Sequence, residues 1–279
     1  MMKRRLTAVA SVVAALLLLL YLTVLFIPND TLKGIVTRGL AANGYTFAAS
    51  SFSKAFPLGI EAENMVIGIT QGPVLKAEEA KVRFRLLPLL LGRVKFSGTA
   101  SIGQGTVSME YTATRQGMVT VAIDNVLLQD IPFFQTFAGL SAKGTLRGTA
   151  ALESLRKQPG GTVQLEVQQA ELANVKVGGT PLPDASYSAI QGKMTVARGK
   201  ARLESFTLQG EGLYVRLSGD LPVTNPLSAA PLNLSLELMP KPEFLEKQKF
   251  VFLLLTKYLD TPGHYLIPVR GTLSKPSVL

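Results

Sequence analysis

Leu232-Asn233-Leu234-Ser235-Leu236-Glu237-Leu238 reads LNLSLEL, four leucines at every second position with polar residues between them. Successive side chains of a strand point to opposite faces, so this spacing predicts a strand with one dry and one wet face. The same period recurs upstream. Val163, Leu165 and Val167 alternate with Gln164, Glu166 and Gln168, and Leu213, Val215 and Leu217 alternate with Tyr214, Arg216 and Ser218. Further back, Val82-Phe84-Leu86, Val107-Met109-Tyr111 and Val119-Val121-Ile123 repeat it. Turn residues punctuate these runs at Gln71-Gly72-Pro73, Arg115-Gln116-Gly117, Pro159-Gly160-Gly161, Gly178-Gly179, Arg198-Gly199-Lys200 and Gln209-Gly210-Glu211-Gly212. The clearest hairpin joins Met194-Thr195-Val196 to Ala201-Arg202-Leu203 through Arg198-Gly199-Lys200. About a dozen strands with short turns and no long helix between them predict an antiparallel meander, not βαβ units. The fold class expected is therefore mainly β: a curled, twisted antiparallel sheet with a few short helices, following one N-terminal transmembrane helix.

Three segments interrupt the alternation. Leu86 to Leu91 reads LLPLLL and predicts an apolar corner that fills one end of the core. Leu127 to Leu140, with Ile131-Pro132-Phe133-Phe134 and Phe137, predicts a short helix or apolar plug. Pro242 to Leu259 predicts a helix, with proline in its first turn, Glu243 and Glu246 near its positive end and Lys257 near its negative end. Its run Phe250 to Leu255 is apolar on every side, so it is expected to be buried or to lie against lipid, with core burial favoured. Glycine recurs in Lys143-Gly144-Thr145-Leu146, Ser218-Gly219-Asp220-Leu221 and Arg270-Gly271-Thr272-Leu273. Each is read as a bend or bulge in a strand, where a side chain would obstruct curling of the sheet.

The other end of the chain follows different rules. Leu6 to Ile27 carries no charge over 22 residues, is preceded by Lys3-Arg4-Arg5 and is stopped by Pro28-Asn29-Asp30. A helix of that length spans roughly 33 Å, against a hydrocarbon core of about 30 Å. The basic tip places the N-terminus in the cytoplasm and the body across the membrane. A cleaved signal peptide is the competing reading, but its apolar core is shorter and ends at a small-x-small site. Val24-Leu25-Phe26-Ile27-Pro28 is too bulky for such a site. After it, Asp30 is expected to cap a helix over Thr31–Asn43, whose Leu32, Ile35, Val36 and Leu40 share one face. The domains expected are thus 1–27, cytoplasmic tip and anchor; 28–44, connecting helix; and 45–279, the exported β body.

Composition narrows the chemistry. The 279 residues include no cysteine, no tryptophan and one histidine, His264. That excludes a disulfide framework and thiolate metal sites, and an exported chain without disulfides suggests a bacterial envelope. The formal charge is +10, of which Lys3, Arg4 and Arg5 supply three. The remaining basic residues are scattered singly or in pairs (Arg83/Arg85, Arg93/Lys95, Arg156/Lys157, Arg198/Lys200), with no basic stripe for nucleic acid. Solvated surface is the plain reading; a loose attraction to anionic lipid headgroups is the next.

No catalytic, cofactor-binding or metal-binding residues are predicted. His264 lies in a turn motif, Thr261-Pro262-Gly263-His264-Tyr265, with no serine elbow to serve. Glu61/Glu63 and Glu78/Glu79 are carboxylate pairs, and alternation puts Glu61 and Glu63 together on the wet face. There is no phosphate-cradling loop, dinucleotide fingerprint or calcium loop. The chain reads as a binder, not an enzyme.

This order of parts resembles the exported AsmA-like proteins, through VRFRLLPLLLG (Val82–Gly92) and the closing PVRGTLSKP (Pro268–Pro276). Within that group it is most similar to type II secretion system protein N, GspN. The resemblance implies a bitopic protein of the bacterial inner membrane with a periplasmic β domain, an accessory component that binds other type II secretion subunits. The wider group implies an alternative, an apolar β groove that holds lipid. The motif defines no ligand residues.

Overall fold

The computed structural model describes residues 22, 26–56, 58–85, 88, 93–114, 117–153, 159–177, 180–181, 184–222, 230–272 and 275–278. The expected anchor over Leu6–Ile27, all but three of its residues, and the Leu86–Leu91 corner, all but Pro88, lie outside them. Among the described residues no helix is long and apolar enough to cross a membrane.

One large antiparallel sheet carries most of the described residues. β1 (Thr46–Ala48) and β2 (Ser51–Ala55) pair with opposite halves of one edge of β3 (Gly59–Ile69). The sheet then runs in chain order through β4 (Gly72–Phe84), β5 (Val94–Ile102), β6 (Gly105–Ala113), β7 (Met118–Leu127), β8 (Ser141–Glu153) and β9 (Gly160–Ala173). A two-stranded ribbon, β10 (Lys176–Val177) with β11 (Thr180–Pro181), is set aside before β12 (Ala185–Ala197) resumes the sheet. β13 (Lys200–Gly210), β14 (Leu213–Pro222), β15 (Asn233–Pro240) and β17 (His264–Thr272) complete it, with β16 (Leu259–Thr261) and β18 (Lys275–Val278) sharing the last edge. The meander expected from the alternating runs is what the pairing shows. The hairpin at Arg198-Gly199 is a two-residue turn closed by Ala197 opposite Lys200, with φ of +52° and +74° at its two central residues. Those angles belong to the type I′ turn, whose twist matches that of the flanking strands.

Register keeps the dry face continuous. Ile60, Val82, Gly98, Met109, Val121 and Ala150 are successive cross-strand neighbours, and the row continues through Val163, Met194, Leu203, Gly219, Leu234 and Val269. Alternation slips by one residue at Ile123 to Val126, and again at Leu203 to Phe206. A bulge absorbs each slip, Asn125 taking φ +52° at the first, so the apolar side chain returns to the same face. Of the recurring glycines, Gly144 takes the expected place at a bulge. Gly144 sits at the shift between Lys143 and Thr145 with φ +128°, and a Cβ there would meet Val167 Cγ1 at 2.9 Å. Gly219 and Gly271 also hold positive φ, +141° and +85°.

The helices depart from the sequence reading in detail. α1 (Asn29–Ala41) begins two residues before the expected Thr31 and is preceded by Pro28, with no side-chain cap; Asp30 lies inside its first turn. It lies along β1 and β2, with Lys33 Nζ donating to the Ala49 carbonyl at 3.2 Å, and none of its residues is buried. The Leu127–Leu140 segment forms a 3₁₀ turn at Leu128–Asp130 and then α2 (Phe133–Ala138), ended by Gly139 at φ +62°. The Thr136 hydroxyl of α2 donates to the Pro73 carbonyl on β4, so this plug reaches back over the sheet. The expected single helix over Pro242–Leu259 is broken in two, α3 (Pro242–Lys247) and α4 (Lys249–Leu254), where Gln248 leaves helical geometry at φ −112°, ψ 27°. Its last residue, Leu259, already belongs to β16.

Candidate functional site

The dry face is not dry to the same degree along its strands. One end of the sheet, here the near end, holds the strand ends at Phe84, Val94, Ala113, Met118, Glu153 and Lys200, together with the start of α1. The opposite, far end holds α2, α3 and α4, which cover the apolar face there. A row near the far end runs Val126, Leu146, Val167, Ile190, Leu208, Val215, Leu238 and Tyr265, and all eight are buried. Leu255 of the helical segment, at 1 % exposure, packs in the same core as Phe252, whose ring lies 5.2 Å from that of Tyr265. Burial pushes the Tyr187 hydroxyl pKa up, as a closed core should.

Toward the near end of β4 to β8 the covering stops, although Val196 and Ala201 on β12 and β13 stay buried. Phe84, Phe96, Tyr111, Val119 and Leu152 are successive neighbours on the same apolar face, yet each is only half-buried. In the next row Val82, Val121, Ala150 and Val163 are half-buried too, and Met109 is exposed. Phe84 and Phe96 meet edge to face at 4.8 Å, and Phe96 lies 6.1 Å from Tyr111. Against this aromatic corner Leu32 of α1 completes a cavity of about 300 Å³, whose other walls are Leu58, Gly59, Ile60, Val82, Phe84 and Phe96. Every side chain in that lining is a hydrocarbon or phenyl group. Such a volume is at the small end of the range for ligand sites, and a lining without a polar anchor suits an aliphatic chain.

The wet face carries ion pairs both across strands and, for Lys81 with Glu79, along one strand. Lys81 bridges Glu61, at 3.3 Å, and Glu79, while Lys193 meets Glu204 at 2.9 Å and Lys143 meets Glu171 at 3.0 Å. The Lys81 ammonium holds the Glu79 carboxyl below its ordinary 4.5, and Lys193 with the Thr195 hydroxyl does the same for Glu204. Exposed pairs of this kind contribute little stability each, but they keep this face in water and so fix which face turns inward.

The carboxylate pairs noted in the sequence fall into this scaffold. Glu61 shares Lys81 with Glu79, and Glu78 accepts the Gly103 backbone N–H at 2.9 Å. His264 begins β17 instead of standing in a free turn, with Nδ1 3.3 Å from Asp260 and Nε2 3.7 Å from Glu237. The Phe250–Leu255 run is split: Phe252 and Leu255 are buried, whereas Phe250, Leu253 and Leu254 are 85 %, 58 % and 65 % exposed. Burial of the whole run, as favoured from sequence, is therefore corrected by the break at Gln248, which turns one side of α4 outward. The cavity itself was missed, because Leu32 meets Phe84 and Phe96 only through tertiary contact. The available signal was the aromatic cluster Phe84, Phe96 and Tyr111 at matched strand ends.

Comparisons with protein-family models, curated protein sequences and solved structures each find no match for this chain.

Proposed function

We propose that this chain is a single-pass protein of the bacterial inner membrane whose periplasmic body, a curled AsmA-like sheet, holds lipid acyl chains on the near half of its apolar face. It acts by binding and not by catalysis. The observation that carries the reading is the apolar cavity of about 300 Å³ beside half-buried rows of aromatic and aliphatic side chains. A soluble monomer covers such contiguous apolar surface unless something else is meant to cover it. The Leu6–Ile27 run supports the membrane assignment, and α1, which begins at Asn29, brings Leu32 to the cavity wall directly after that run. An aliphatic chain leaving a bilayer thus has a short path into the site.

A phospholipid carrying a photoreactive group near the end of one acyl chain tests this in native membranes. Cross-links are expected on peptides containing Val82, Phe84 and Phe96. Cross-links confined to the N-terminal run, or spread over the wet face, would remove the basis for the reading.

A second reading is favoured by a separate observation. Phe250, Leu253 and Leu254 project at the far end, away from the cavity. A protein that joins the type II secretion apparatus through that end would use such a surface, as the resemblance to GspN implies. Loss of secretion on Leu254→Glu with lipid cross-linking intact would favour this reading over the first.

A further inference from the structure

We infer that the near end of the sheet is a docking surface for anionic lipid headgroups of the bilayer that carries the anchor, with Phe56 seated in the interface. The inference rests on the membrane-tethered reading above, because it needs that bilayer at the near end.

Charge is divided unequally between the two ends. At the near end, Arg85 is paired with Glu110, and Arg202 lies 3.8 Å from Asp220. Arg83, Arg93, Lys95, Arg198 and Lys200 also lie there, in no ion pair among the described residues, although Arg83 acts through space on Glu79; Asp30 and Glu153 are the acidic residues there outside an ion pair. At the far end the balance reverses. Asp130, Asp184, Glu211, Glu243, Glu246 and Asp260 slightly outnumber Lys176, Lys241, Lys247, Lys249 and Lys257. An anionic surface therefore attracts the near end more than the far end.

Both ends expose apolar side chains, but among the described residues only at the near end do they stand beside unpaired arginine and lysine together. Phe56, in the turn between β2 and β3, is 78 % exposed; Phe26, before α1, is 81 % exposed; and Met118, opening β7, is 42 % exposed. Aromatic side chains flanked by arginine and lysine are the pattern of a bilayer interface, the ring at headgroup depth and the cations on the phosphates. The occupant follows from continuity as well as charge: the chain leaves α1 toward Phe26 and the apolar run at this same end. Docked this way, the strands stand away from the membrane and the cavity behind Leu32 faces lipid.

The absence of cysteine lets a single introduced thiol report on one site. The full chain carrying Phe56→Cys, labelled with an environment-sensitive fluorophore, is reconstituted in nanodiscs. One set contains phosphatidylcholine alone, the other an equal mixture with phosphatidylglycerol; Phe250→Cys is labelled in parallel. Emission at position 56 is expected to rise and shift blue only in the anionic discs, with no change at 250. Replacing Arg93, Lys95, Arg198 or Lys200 by an acidic residue should lower the docked-to-free ratio by about five-fold per basic residue lost. Molar salt, which shortens the screening length to about 3 Å, should undock the wild type without any substitution. Equal emission in both lipids, insensitivity to salt, or a shift at 250 in place of 56 would overturn the inference. The photo-cross-link reports separately on the cavity: its loss with docking intact counts against acyl-chain binding alone, and docking lost with the cross-link kept counts against this surface alone.

Discussion

The two halves of the same apolar face are built from the same strands and end differently. At the far end, Leu238, Leu255 and Ile267 are 1 % exposed or less, sealed by the segments that interrupt the alternation between β7 and β8 and between β15 and β17. At the near end the alternation is just as regular, but no described helix covers Phe84, Phe96, Tyr111 and Val119, and α1 contributes only Leu32 at one corner. Period-2 patterning sets which face is dry; only the insertions decide how much of that face is closed. The far half is a closed core, whereas the near half is open over β4 to β8 and closed again at Val196, Ala201 and Leu234.

The sharpest way to test that contrast is truncation in each half. Leu238→Ala should cost about 2–5 kcal/mol, because its neighbours cannot collapse into the space, and thermal unfolding should show a large fall in melting temperature. Met109→Ala in the near half should cost roughly 1 kcal/mol or less, since part of that side chain already meets water. Equal losses at the two positions would erase the distinction between core and open surface.

Next in size come the glycines under large side chains. A Cβ at Gly192 would stand 2.7 Å from Phe206 Cδ2, and one at Gly148 would stand 2.6 Å from Leu165 Cδ2. Alanine at either position should cost about 1–3 kcal/mol through overpacking, read from denaturant midpoints. A neutral result would mean that the apolar row between the halves is loose enough to repack.

Filling the cavity should separate stability from binding. Val82→Phe places a ring where the lining leaves about 300 Å³. Melting is expected to change far less than for Leu238→Ala, while cross-linking to the acyl-chain probe falls several-fold. Unchanged cross-linking would move the site elsewhere on the face.

The smallest effect belongs to the wet face. The carboxyls of Glu79 and Glu204 have folded pKa values below the ordinary 4.5. Their contribution is therefore complete above about pH 4.5 and is lost as the pH falls through the lowered folded values. Removing both partners, Lys81→Ala with Lys193→Ala, should flatten the acid limb of a plot of melting temperature against pH. Salt should weaken the effect in the wild type.

Much of this architecture is legible in the sequence. LNLSLEL at Leu232–Leu238 and the runs at Val163 and Leu213 specify strands, and Arg198-Gly199 specifies a hairpin whose two positive φ angles suit the type I′ turn. Strand order follows directly where turns are short, as at Ile69–Gly72, Ile102–Gly105 and Ala197–Lys200, and is kept across the longer insertions between β7 and β8 and between β15 and β17. Less visible is what a local pattern cannot encode. Asn125 restores the face after Ile123 by a bulge, and in the sequence that step looks like a break in alternation. Gln248 splits an apparently continuous helical pattern, so Phe250, Leu253 and Leu254 point outward although their run looks fit for a core. The candidate site was hidden for the same reason. Leu32 lies about 50 positions before Phe84 in the chain, and no local period relates a helix face to the end of a distant strand.

Lipid occupancy of the near half is the point on which the functional account stands. Native mass spectrometry of the full chain, released from its own membranes and compared with Val82→Phe prepared identically, measures it directly. The expected result is wild-type protein carrying bound phospholipid or fatty acid, with occupancy reduced several-fold in the variant. A wild-type chain that emerges without lipid, or a variant that retains as much, would contradict it.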